Sequence, residues 1–156
     1  MTHRSRFLDS ILIGGISGII LGLLLKWLES SSGIGVYVLL LNVDFIPFMG
    51  QIEWSEPMEF IFHVIISIII AFVFILVVER LNVIHSFLKC WMISFILCLP
   101  TFGLYFLLSE LAIKEVPAWN NWLAFTYWSI AHLLYTLILP ILLYLKTTKK
   151  RSTSLR

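Results

Sequence analysis

Charge is what this chain has least of. Asp, Glu, Lys and Arg make up 13% of its 156 residues, about half the share found in an ordinary soluble domain. Too little polar surface is left to keep a compact globule in water. Cysteine is nearly missing as well, with Cys90 and Cys98 the only two. They fall in one apolar run about 12 Å apart along a helix, beyond the ~7 Å reach of a disulfide, and read as small buried residues. No Cys/His spacing suits a metal site. No P-loop, Rossmann glycine pattern, nucleophile elbow or HExxH occurs, and no internal repeat is visible. These gaps point away from an enzyme, a metal centre, a bound cofactor or a nucleic-acid partner.

What the chain has is grease: 60% of residues are apolar and the mean hydropathy is +0.97. Four apolar runs stand out, Leu8–Leu28, Pro57–Val78, Phe87–Leu108 and Trp122–Leu145. Each is about 21 to 24 residues, enough to cross a ~30 Å hydrocarbon core with some tilt. Barrel strands are about ten residues long and alternate in polarity. A helix satisfies its own backbone hydrogen bonds in lipid. The expectation is therefore an all-α, four-helix transmembrane bundle forming one membrane domain over 1–156, with the bilayer as its first partner.

Lysine and arginine give the orientation. Arg4, Arg6, Arg80, Lys89, Lys146, Lys149, Lys150, Arg151 and Arg156, nine of the eleven, flank the runs on one side; Lys26 and Lys114 fall on the other. By the positive-inside rule both termini, the 79–89 loop and the basic tail 146–156 are cytoplasmic. The tail then also attracts anionic headgroups. The first run is longer than a signal-peptide core and ends in Lys26, Trp27 and Glu29, not in a small-residue cleavage site, so it is expected to stay attached.

The outer loop 29–56 opens with Ser30, Ser31, Ser32 and Gly33, read as flexible, and then carries a short apolar run, Ile34–Leu41. That run is too short to span. It is expected to form a helix lying at the membrane surface or tucked against the bundle, as an anchor or a lid. Trp27, Trp54, Trp119 and Trp122 fall at the outer boundary, where amphipathic rings prefer to sit. Pro100 and Pro140 lie inside the third and fourth long runs, where each removes a backbone donor and is expected to kink its helix.

Two patterns within the runs could carry function. Gly14, Gly18 and Gly22 recur every four residues, followed at the next step by Lys26. Such a face lets a second helix approach closely, and the neighbour is either another helix of this chain or a second copy in a homo-oligomer. The second run puts Glu59, His63 and Ser67 on one face, and the fourth puts His132 beside Thr136, with Ser129 and Tyr135 nearby. Ionisable residues within a bilayer normally face the bundle interior or water. At ~1.5 Å per residue, His63 lies about 9 Å and His132 about 15 Å in from the outer ends of their helices.

Lys26, Glu59, His63, Ser67 and His132 are thus expected to gather into an outer-half polar cluster, with Glu59 tuning His63. Several roles compete for it. The histidines are hydrogen-bonded struts, or they exchange protons near neutral pH in proton-linked, acid- or stress-related handling of a small solute or ion. Alternatively they clamp a b-type haem as paired axial ligands. A serine–histidine hydrolase rests only on the one-turn spacings of Ser67 from His63 and Ser129 from His132. A separate reading is a structural or accessory subunit that packs in a larger membrane complex through an outward-turned glycine face.

The order Gly18, Lys26-Trp27, His63-Val64-Ile65-Ile66-Ser67-Ile68, Val77-Val78-Glu79, Pro117 and Ala131-His132 resembles the YagU-like family of bacterial inner-membrane proteins. The similarity spans the first run and the stretch from Phe62 to Leu134. The chain departs from the family pattern in having no proline between Glu29 and Gly35, and in having Trp128 where an acidic residue is usual. The resemblance implies four helices and a place in the bacterial cytoplasmic membrane. It implies no activity, because the family has no settled biochemical function.

Overall fold

A computed structural model describes residues 3–153, with side chains over 5–148. The side chains of Arg4, Lys149, Lys150 and Arg151, and all of Arg156, lie outside the described residues. The elements are α1 (His3–Ser32), α2 (Val36–Leu41), α3 (Glu56–Arg80), α4 (Phe87–Leu111) and α5 (Trp122–Thr153), with a 3-10 turn over Met49–Gln51. Four of them, α1, α3, α4 and α5, are long and apolar enough to cross a membrane. This is the architecture of a multi-pass membrane protein.

The helix ends follow from local chemistry. Asn121 caps α5, its Oδ1 accepting the Ala124 N–H at 3.1 Å, as an N-cap amide does. Pro57 sits in the first turn of α3 together with Glu56 and Glu59, and Arg80 sits in its last turn, which suits the helix dipole. The first run continues further than its apolar core. Ser30–Ser32 are helical, and Ser31 and Ser32 turn their hydroxyls back onto the Trp27 and Leu28 carbonyls. Gly33 ends α1 with φ +71° and donates its N–H to Glu29 O at 2.8 Å, a left-handed C-terminal stop. The serines are thus the last turn of a helix and not a flexible segment. Pro100 and Pro140 both lie within continuous helices.

The apolar run of the outer loop is α2, and it is tucked in. Val36 and Leu39 are fully buried, and α2 touches all four long helices. It is packed into the bundle end and not laid on the surface. Glu29 holds it from α1, accepting the N–H groups of Tyr37 and Val38 at 2.7 and 3.1 Å.

The long helices pair α1 with α3, α4 with α5, and α1 with α5, while α3 and α4 share a smaller contact. The glycine face is the α1–α3 seam. A Cβ on Gly14 would lie 2.5 Å from the Ile68 Cα, one on Gly18 2.7 Å from the Ser67 Cβ, and one on Gly22 2.5 Å from the Phe60 ring. The stripe is thus covered by a helix of the same chain and does not face outward.

Both ends of the bundle are tied by ion pairs. At the end carrying the chain termini, Arg6 meets Glu79 at 2.8 Å and Lys146 meets the buried Asp9. At the opposite end Lys26 meets Glu56 and Lys114 meets Glu59. Between them the half nearer the termini is dry, with Ile13, Phe74, Ile75, Val78, Leu139 and Leu143 all excluded from solvent.

Candidate functional site

The half farther from the termini holds a cavity of ≈ 210 Å³. α3 contributes Glu59, His63 and Ser67, α5 contributes Trp128, His132 and Tyr135, and α4 contributes Cys98, Thr101 and Leu104. The segment from Leu40 to Ile46 roofs it. Four of the five residues expected to cluster therefore line one space. Lys26 does not. It lies in a vestibule of ≈ 430 Å³ at the end away from the termini, with Glu29, Tyr37, Glu56 and Lys114.

Each histidine is oriented by a backbone carbonyl. His63 Nε2 donates to Gly18 O at 3.1 Å, a contact open only because residue 18 has no side chain. His132 Nδ1 donates to Trp128 O at 2.8 Å, and its ring lies over the Trp128 indole with centroids 4.4 Å apart. A carbonyl accepts only, so each bonded nitrogen carries the proton and the other nitrogen of each neutral ring is left with a lone pair. Ser67 Oγ donates to Gly14 O at 2.7 Å and meets the Tyr135 hydroxyl at 2.9 Å. α1, α3 and α5 are joined there. Trp128 Nε1 in turn donates to Thr101 O at 2.9 Å, which ties α5 to α4.

The expected tuning of His63 by Glu59 is not what the contacts give. Glu59 is bound by Lys114, and Lys26 is bound by Glu56 at 2.5 Å. The Tyr37 hydroxyl also donates to Glu56, at 3.0 Å. Burial, followed by this hydrogen bond and the nearby carboxylates, pushes the Tyr37 phenol above its ordinary value of 10.0. Lys26 lies 5.2 Å above the Tyr37 ring, within cation–π range. Asp44 completes this end of the bundle, its Oδ2 accepting the N–H groups of Ile113 and Lys114 at 2.9 and 2.7 Å.

The geometry narrows the chemistry. Ser67 is engaged with Gly14 and Tyr135, and His63 with Gly18, so no serine–histidine pair of the kind a hydrolase needs is formed among the described residues. A cavity of ≈ 210 Å³ falls below the ~300–1,000 Å³ typical of pockets for drug-sized ligands, and a haem does not fit between the two imidazoles. What fits is a small molecule with an apolar body, since half of the residues on the wall are Leu, Ile and Phe.

Lys114, Tyr37, Trp128, Thr101 and Asn42 were not legible as site residues. Lys114 had one available signal, as one of only two lysines on its side of the membrane. Trp128 had none, because its position one turn before His132 matters only once the imidazole is seen to bond its carbonyl. The chain matches no protein-family model, no curated protein and no solved structure.

Proposed function

We propose that this chain is a multi-pass protein of a bacterial cytoplasmic membrane, with both termini cytoplasmic, that binds a small solute in the cavity between α3 and α5. Protonation of His63 and His132 controls its occupancy. The sidedness rests on nine of eleven Lys and Arg lying at one end. A relationship to the YagU-like family belongs to the same proposal and rests on Lys26-Trp27 and on the stretch from His63 to Ile68.

One observation carries the binding reading. Two imidazoles from different helices line one cavity, and each spends one nitrogen on a carbonyl. The second nitrogen of each can take a proton or accept a hydrogen bond from a solute. The apolar packing below them supports a binding site that faces one side over an open channel.

A diazirine-bearing octanol tests it, offering one hydroxyl to an imidazole and an alkyl body to the walls. Photolabelling of the purified protein is expected to mark the peptides carrying Phe62, Ile66 and Leu104, with a yield that changes over roughly pH 4 to 7, since burial disfavours a charged imidazole. The His63→Ala/His132→Ala double variant should insert normally and lose the pH dependence. Labelling spread evenly over the lipid-facing surface overturns the site. A double variant that follows the parent across that range overturns the histidine role.

A further inference from the structure

We infer that the cavity is the chain pocket of a lipid site, and that its ligand is a single-chain zwitterionic amphiphile of the lysophosphatidylethanolamine type from the outer leaflet. This rests on the binding reading above and names the class of molecule bound.

The mouth of the cavity opens sideways. α3 packs mainly on α1, and α4 on α5, so these two sequence neighbours part from one another. Ile66 on α3 and Leu104 on α4 both line the cavity, and both are exposed, at 56% and 41%. At this depth in a spanning helix the outside is hydrocarbon. A slot with apolar lips in hydrocarbon admits an alkyl chain more readily than a hydrated solute. Most polar side chains on its wall are already engaged: His63 and Ser67 on carbonyls of α1, His132 on Trp128 O, Thr101 on Cys98 O and Tyr135 on Ser67. The volume of ≈ 210 Å³ takes part of a single alkyl chain, the rest of which stays in the hydrocarbon outside the apolar lips.

The outer end supplies a headgroup site. Leu41 and Glu59 line both the cavity and the vestibule, so the two spaces adjoin. The vestibule gathers Lys26 and Lys114 with Glu29, Glu56 and Glu59. Both lysines are paired there, Lys26 with Glu56 and Lys114 with Glu59, so a phosphate exchanges for a carboxylate on the ammonium groups and the head's own ammonium takes the carboxylate released. A purely anionic head would meet three carboxylates and a purely cationic one two lysines. The layout also copies the posture of a lipid. The vestibule lies at the helix ends, and the chain path runs inward past Glu59, His63 and Ser67, about 12 Å along α3.

The test uses the full chain in decyl maltoside with lysophosphatidylethanolamine carrying a mid-chain diazirine. Crosslinks are expected in the peptides holding Ile66 and Leu104, competed by unlabelled lysophosphatidylethanolamine and weakly by palmitate or lysophosphatidylglycerol. Leu104→Trp, which fills the mouth, should cut the yield about tenfold, and Lys114→Gln should raise the concentration needed about tenfold. Ile69→Trp, exposed on α3 but outside the cavity, should label like the parent. Ile66→Trp serves as a second plug if Leu104→Trp unfolds early. Equal competition by palmitate or lysophosphatidylglycerol overturns the zwitterion assignment. Undiminished labelling of both plugged variants overturns the chain path. Labelling of the cavity by the diazirine octanol but not by the lipid overturns this inference alone, and labelling by neither overturns the binding reading with it.

Discussion

The Ser67 hydroxyl donates to the Gly14 carbonyl oxygen at 2.7 Å, and it reaches that oxygen because residue 14 carries no side chain. A Cβ there would stand 2.8 Å from Ser67 O and 2.5 Å from the Ile68 Cα. Both are backbone atoms, so α3 as a whole would have to move. Small residues in a membrane seam act through this closeness, since no hydrophobic force drives the helices together. Gly14→Ala is expected to destabilise the bundle by about 1–3 kcal/mol, the usual cost of overpacking. Gly15→Ala, with nothing within 4 Å, should cost far less. Unfolding in mixed micelles compares the two, and equal effects would remove the seam from the account.

The Lys114–Glu59 pair should behave asymmetrically. The Glu59 side chain is 9% exposed and that of Lys114 42%. Removing the lysine strands a nearly buried carboxylate, whereas removing both leaves no charge without a partner. Lys114→Met is therefore expected to lower the melting temperature more than the Lys114→Met/Glu59→Met double variant does. A double variant that is simply the sum of its parts would show that the two charges do not stabilise one another.

How far the sequence reached can be seen at particular residues. The long helices were legible because apolar run length is nearly a direct readout in lipid. Their ends were not, since Ser30–Ser32 are polar and flexible by composition yet finish α1 through hydroxyl-to-carbonyl bonds. His63, Ser67 and His132 were legible as polar residues in apolar runs. The placement of Lys26 was not, because helical spacing gives a residue's face and says nothing of its partner across the bundle. Lys26 points to Glu56 and lines the vestibule, not the cavity.

Tyr37 gives the outer end an alkaline limit. Its folded pKa lies above the unfolded value of about 10, chiefly through burial. A raised folded value means that the folded state holds the proton more tightly. The stabilisation is then complete below pH ~10 and falls as pH rises toward the folded value. Stability should decline with pH in that window, and Tyr37→Phe should flatten the decline while losing the 3.0 Å hydrogen bond to Glu56. Chemical unfolding at about pH 9 and 11 reads both effects. A parent and variant with the same slope would mean the phenol ionises alike in both states.

Sidedness can be measured with little engineering because Cys90 and Cys98 are buried, at 3% and 0%, and should be silent to polar maleimides. Ile113 is 79% exposed beyond the end of α4, and Leu81 is 59% exposed just past α3. They lie at opposite ends of the bundle, since α4 runs from one end to the other between them. Lys26 and Lys114 are the only basic residues on the Ile113 side, so that end is expected to face outward. Ile113→Cys should therefore react with a membrane-impermeant maleimide on intact cells, and Leu81→Cys only after permeabilisation. The reverse pattern would turn the bundle over and put the vestibule in the cytoplasm. The lipid site would then have to draw on the inner leaflet. The charge complementarity of Lys26 and Lys114 with the carboxylates beside them would be unchanged, because it depends on the fold and not on which way the fold is inserted.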